Sequence, residues 1–284
     1  MKPKLRIISL TVAANLLLIL AKLFVALITG SLAVFATLID SIFDLLASFI
    51  AFFGLKESEK PADAEHPYGH EKFEHVSSLA VVSFIFLTAL YIAYEAVQRL
   101  LSPTALSITG LELAVLLGTI ALDILLVRYL NKHVPRHKSL LLEATRAHYS
   151  ADVLQNGVAV VGVLFSSMGY PLADPIAALT ITYFIVKPAF RVGQKSFSEL
   201  VDTSPSPETL EKLREIIRST SGVRGYTKLR ARQVAGKIYL DFEMQVDGAK
   251  SVSKAHALAH HLQERLKKRV PAVKDVVIHI EPKR

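Results

Sequence analysis

The stretch SLAVFATLIDSIFDLLASFIAFFGL, residues 31–55, is long and apolar enough to cross a lipid bilayer as a helix. Asp40 and Asp44 nevertheless stand in its middle. A carboxylate at the centre of a spanning helix costs about 2.5–3.5 kcal/mol on insertion scales, so a pair of them implies a function. At spacing i, i+4 the two stack on one face and act at one point. Residues 139–168 repeat the device with His148 and Asp152, at the same spacing. Asp-x3-Asp facing His-x3-Asp offers three carboxylates and an imidazole, a ligand set suited to a tetrahedral divalent cation. Interhelical hydrogen bonding is the competing explanation. It accounts for single polar residues better than for two registered pairs.

Working outward, the chain of 284 residues is 51% hydrophobic with a mean hydropathy of +0.39. The apolar excess stops near Asp202, which divides the chain into a membrane domain, residues 1–201, and a charged appendage, residues 202–284. Apolar runs cover residues 6–29, 31–55, 74–101, 110–134, 139–168 and 172–190 and predict six transmembrane helices. The first run begins at the N-terminus without a small-residue cleavage site and is expected to be a retained span rather than a signal peptide.

The connectors alternate in charge. Residues 30–31, 102–110 and 169–175 hold no Lys or Arg, whereas the N-terminus, residues 56–75, residues 128–138 and everything after Lys187 are rich in them. The positive-inside rule then places both termini in the cytoplasm of a multi-pass protein of the cell (plasma or inner) membrane. Arg99 is the exception near an outer end, and Glu95, one turn earlier, is its expected partner. The net charge of +8 suits an anionic cytoplasmic membrane face. In this topology Asp40, Asp44, His148 and Asp152 all fall in the middle third of the bilayer. Asp123, alone in the fourth run, is expected to line a water path or pair with a neighbour rather than bind metal.

Metal binding at such a cage needs neutral imidazole and deprotonated carboxylates, so metal and protons compete for the same atoms. Helices rocking between inward-open and outward-open states would then exchange one for the other. The chain has no cysteine, which excludes disulfides and thiolate metal sites. His-Glu-x-x-His is absent, and the two Asp pairs do not fit an intramembrane aspartyl protease, so no enzyme is expected. The basic tail has no stacking-aromatic platform, so no nucleic acid is expected either.

Six helices, Asp-x3-Asp in the second, His-x3-Asp in the fifth and a C-terminal appendage together resemble the cation diffusion facilitator family of divalent metal/proton antiporters, over essentially the whole chain. HPYGHEK (residues 66–72), ADPIAAL (173–179) and ELVD (199–202) carry the same likeness, and Asp-Asp-His-Asp is similar to its zinc/iron-type branch. The resemblance implies proton-coupled export of a divalent cation from the cytoplasm. Zn2+ heads the candidates, with Fe2+, Cd2+, Mn2+, Co2+ and Ni2+ behind it. A membrane metal sensor or a metal-gated channel is the alternative, because a binding site alone does not establish flux.

Residues 56–73 contain a second constellation, Asp63, His66 and His70, with Tyr68-Gly69 turning the chain between the histidines. His-x3-His with a carboxylate is a metal-site pattern, and a solvated charged loop is the bland alternative. The resemblance implies a metal site at this spacing, and an ion pair between Lys72 and Asp202.

In the tail the periodicity predicts helix 207–219, strands 226–233 and 237–246, helix 253–269 and strand 275–281. Ile238, Leu240, Phe242 and Met244 point inward. Val276, Ile278 and Ile280 do the same, leaving His279 and Glu281 on the other face. The α-β-β-α-β order predicts a small α+β, ferredoxin-like split βαβ domain with both helices on one face. The resemblance implies that it forms a homodimer and binds regulatory metal at Asp241, His256, His279 and Glu281. Asp241 and Glu281 replace the His and Asp of zinc members, and Thr227 replaces another His, which implies a single or weaker site. His260 is one turn from His256, and His261 lies on another face.

Overall fold

The computed structural model describes residues 3–29, 32–102, 110–137, 139–168, 170 and 172–283; within the helices, the side chains of residues 29, 32–37, 40, 112, 163, 164, 166, 167, 173 and 174 fall outside the description. The chain divides into two compact units, Met1–Phe197 and Ser198–Arg284.

The first unit is built from long helices: α1 (Pro3–Thr29), α2 (Leu32–Ser58), α3 (Lys72–Leu101), α4 (Gly110–His133), α5 (Leu140–Ser167) and α6 (Ala173–Leu200), with a 3-10 turn at Val134–Arg136. Four stretches are long and apolar enough to cross a membrane: Pro3–Ile28, Lys72–Leu101, Leu113–Arg136 and Pro175–Leu200. The bundle is apolar outside as well as inside. Ile8, Leu55, Ile85, Leu130 and Leu141 are buried between helices, while Leu20, Phe24, Leu27, Leu87, Leu90 and Phe184 lie exposed on the outer surface. Such a surface is stable against lipid rather than water.

Packing is closest where side chains are small. A Cβ on Gly54 of α2 would fall 1.8 Å from Ser77 Oγ of α3, and one on Gly193 of α6 would fall 3.2 Å from a Val82 methyl. Helix α6 outruns its apolar stretch, which ends at residue 190, by a further ten residues to Leu200. The end of an apolar run marks where a helix leaves the hydrocarbon, not where its backbone hydrogen bonds stop. Ser196 continues the packing, donating to Ser78 Oγ of α3 at 2.9 Å. Pro188 sits inside α6, where it lacks an N–H to give to the preceding turn. The i, i+4 pair Glu95–Arg99 closes at 3.6 Å near the end of α3.

The second unit comprises α7 (Pro207–Arg218), β1 (Gly225–Val234), β2 (Lys237–Asp247), α8 (Val252–Arg269) and β3 (Val273–Lys283). Ser206 caps α7 by accepting from the Thr209 N–H, and Pro207 follows at the first helical position, where a missing N–H costs nothing. Ala235 and Gly236, both at positive φ, form the two-residue connection between β1 and β2. Leu240, Phe242 and Met244 alternate inward onto Leu213, Ile217, Leu262 and Leu266 of the two helices.

One detail of the expected topology is corrected. The sheet order is β1-β2-β3, with β1 antiparallel and β3 parallel to β2. The βαβ unit around α8 is therefore closed rather than split. Three strands are all that the described chain supplies, so none is left to sit between β2 and β3.

Candidate metal centre

Helices α2 and α5 each carry a registered polar face, and their packing brings the faces together. His148 Nε2 lies 3.3 Å from Asp44 Oδ1 and 3.8 Å from Asp152 Oδ2. One ligand atom from each of the three falls within 4.8 Å of the other two. His148 is almost wholly enclosed, and its Nε2 is buried without a hydrogen-bond partner. A ring nitrogen held between two carboxylates suits a divalent cation. The Asp40 side chain lies outside the described residues, although its backbone belongs to α2.

A polar lattice supports this cluster, built from residues that form no motif in the sequence. Tyr149, next to His148, places its hydroxyl 3.2 Å from Ser48 Oγ and donates to the Thr11 carbonyl at 3.4 Å. Asn15 of α1 donates to Ser48 at 3.0 Å, and Lys22 of α1 to Ser41 at 2.8 Å. Ser41, Asp44 and Ser48 follow one another at i, i+3, i+7, so α1 presents a polar stripe to the same α2 face that carries the ligand. Lys22 was legible as a charge inside an apolar run. The serines and Tyr149 were not, because such residues are ordinary in helices until a partner is seen. Asp123 of α4 is buried, and its Oδ2 accepts from Asn156 Nδ2 of α5 at 3.5 Å.

The connector between α2 and α3 gathers Asp63, His66 and His70, again with ligand atoms within 4.8 Å. Its geometry is set locally. Asp63 Oδ1 accepts from the N–H groups of His66 (2.8 Å) and Glu65 (3.1 Å), and the Gly69 N–H donates to the His66 carbonyl at 2.9 Å. Gly69 has φ +93°, a conformation that side chains resist. This turn brings the two imidazoles to 4.4 Å between centroids, with Phe73 stacked on His70 at 5.7 Å. His70 Nδ1 lies 3.1 Å from the Pro61 carbonyl, and its Nε2 is 3.3 Å from Asp63 Oδ2. An N–H committed to a backbone carbonyl leaves the other nitrogen free to ligate, the usual support of a metal-binding imidazole. The hydrogen bond from the His66 N–H, above all, holds the Asp63 carboxyl below its ordinary pKa.

The tail residues are arranged differently. Asp241 Oδ2 accepts from Arg230 Nε at 2.7 Å, and His279 Nε2 lies 3.0 Å from Glu281 Oε1. His256 is exposed on α8, its ring 5.4 Å from that of His260. Among the described residues no group of three such ligands forms in the tail. The neighbour across the ladder from His279 is Glu243, which the sequence reading did not single out. Glu243 is held by Thr227 Oγ1 at 2.7 Å and Lys228 Nζ at 2.6 Å. Of the Lys72–Asp202 pair, Asp202 accepts from Arg232 at 3.2 Å, and Lys72 opens α3 in the other unit.

Comparison with known proteins agrees with this division. Residues 8–201 match the family described as cation efflux transmembrane domain, and residues 205–283 match the cation efflux protein cytoplasmic domain. The chain is 32% identical to the cation-efflux pump FieF of Citrobacter koseri over 275 residues, covering 97% of this chain and 91% of that protein. It is 32% identical to FieF of Serratia proteamaculans over 266 residues, covering 94% and 88%, and 31% identical to FieF of Escherichia fergusonii over 275 residues, covering 97% and 91%. Among solved structures, MamM-CTD shares 25% identity and a TM-score of 0.26, covering 27% of this chain and 96% of that one. The chain is a multi-pass membrane protein and belongs to the cation efflux, or cation diffusion facilitator, family.

Proposed function

We propose that the chain exports divalent cations from the cytoplasm in exchange for protons, by alternating access in a homodimer. The observation that carries this reading is the convergence of Asp44, His148 and Asp152 within an apolar helical bundle. Asp40, one turn from Asp44, completes the cage on the sequence spacing. All six long helices span the cell (inner) membrane, with both termini cytoplasmic, and the ligands lie near its midplane. A mixed carboxylate and imidazole set favours Zn2+, with Fe2+, Cd2+, Mn2+, Co2+ and Ni2+ as further substrates.

Exchange follows from the chemistry of the ligands. The cation needs deprotonated carboxylates and a neutral imidazole, so its release on the far side leaves the same atoms to protons. Asp63, His66 and His70 hold a second ion at the cytoplasmic entrance. The tail pairs two copies of the chain and binds regulatory metal through Asp241, His256, His279 and Glu281. The relatives' names as cation-efflux pumps support export as the direction.

The test is purified protein in proteoliposomes with a metal-sensitive dye inside or out and a pH-sensitive dye opposite it. Saturable metal flux with opposing proton flux is expected, and Asp44→Asn should abolish both for every metal. Metal binding without flux would leave a sensor, and flux that does not saturate would leave a channel.

A further inference from the structure

Asp123 is a buried carboxylate in a membrane helix. Its carboxylate lies outside the three-residue cluster, and its hydrogen-bond partner is the Asn156 amide. Asn156 is one turn beyond Asp152 on α5, about 6 Å further along the helix axis at 1.5 Å per residue. His148 and Asp152 share a face of α5 with Gln155 and Ala159, at i, i+4, i+7, i+11; Asn156 sits on the flank of that face, toward α4. Gln155 and Ala159 line a cleft of about 190 Å³ between α3, α5 and α6, with Tyr91, Glu95 and Arg99. That lining includes neither Asp123 nor Asn156. The Asn156–Asp123 contact itself lies beyond the cage toward the C-terminal end of α5, which is the outer end in the topology proposed above.

The charged groups near enough to act on Asp123 come from every helix packed against α4: Lys22 from α1, Asp44 from α2, and His148 and Asp152 from α5. Asp123 therefore sits among the same charges as Asp44, His148 and Asp152 and, among the described residues, outside their cluster.

We propose that Asp123 is the proton-loading carboxylate of the outward half-cycle. The inference rests on the transport reading. A proton from outside water adds to a carboxylate oxygen of Asp123. When the cation leaves, that proton passes to a vacated cage ligand, and Asp123 returns to its carboxylate form. One proton moves, and Asp123 is unchanged after each turnover. The Asn156 N–H orients the accepting carboxylate. A carboxylate suits the role because it takes and gives a proton without retaining a borderline cation as firmly as a cage containing imidazole.

The full-length protein in proteoliposomes tests this, with Zn2+ binding and Zn2+-driven proton flux measured across the pH of the outer side. Asp123→Asn should leave Zn2+ affinity at the membrane cage essentially unchanged, lower maximal turnover about ten-fold or more, and flatten the dependence of rate on outer pH. Asp123→Glu should restore most of the rate and the pH dependence. If Asp123→Asn fails to insert, Asn156→Ala reads the same step, with slowed turnover and retained Zn2+ affinity expected. Wild-type turnover and pH dependence in these variants would overturn the proposal, and so would loss of Zn2+ binding, which would make Asp123 a ligand. Absence of Zn2+-driven proton flux in the wild type would instead sink the transport reading itself.

Discussion

In the proposed cage, His148 is the residue on which selectivity is expected to turn. It bridges Asp44 and Asp152 and is the single nitrogen donor among the cage residues. Imidazole suits zinc, whereas carboxylates suit manganese and other hard ions. His148→Asp should therefore narrow the preference for Zn2+ over Mn2+ by about ten-fold, equivalent to about 1.4 kcal/mol. Competition between the two ions in the flux assay reads this directly, and an unchanged preference would remove His148 from the ligand set. The loop histidines differ because their site lies outside the bundle. His66→Ala with His70→Ala should leave measurable flux and lower the number of Zn2+ ions bound per chain by one, as counted by elemental analysis. Complete loss of flux in a folded, inserted double variant would contradict that division.

Among the elements, α2 and α3 depend on a close approach at Gly54, where any Cβ would overlap Ser77. Gly54→Val should separate the helices and lower the melting temperature of the detergent-solubilised protein, with a cost of about 1–3 kcal/mol expected for overpacking. An unshifted melt would mean that the two helices part without penalty. In the tail, the side-chain ion pair of Glu243 with Lys228 sets a pH window. The Lys228 hydrogen bond, then that of Thr227, holds the Glu243 carboxyl below its ordinary 4.5. The same contact holds the Lys228 ammonium above its ordinary 10.5. A depressed carboxyl contributes stability at higher pH and loses it as pH falls through the folded pKa. A raised ammonium contributes at lower pH and loses it as pH rises through its own. The contribution of the pair is therefore full at neutral pH and fades at both extremes. Lys228→Met should lower tail stability at pH 7 and converge on the wild type below the Glu243 folded pKa, as followed by thermal melts of the full chain. The effect is small because the Lys228 ammonium is exposed to solvent.

For the molecule as a whole, the two units have separate cores, one of helix against helix and one of helices against a three-stranded sheet. Separate cores imply separable roles. A chain ended after Val201 should keep Zn2+ binding at the membrane cage and lose dimerisation in detergent, as measured by light scattering. A truncated chain that stays dimeric would place the dimer contact in the membrane helices instead.

The sequence by itself determined the helix count of the first unit, the α-β-β-α-β order of the second and the i, i+4 faces of α2 and α5 that carry candidate ligands. Each is a short-range property: apolar length sets a helix, alternation sets a strand, and i, i+4 spacing sets a face. The Asp63, His66 and His70 turn is equally local, because an Asx turn and one glycine build it. Only the tertiary structure decided what depends on distant parts of the chain. It extended α6 past its apolar run, set β3 directly beside β2, and put Tyr149 against Ser48 and Thr11. It also faced Asp123 with Asn156 and placed Lys228 and Arg230 on the acidic side chains of the sheet. The reason is that a hydroxyl, an amide or a lone carboxylate has no periodicity to betray it. Its partner is chosen when helices or strands far apart in sequence come into contact.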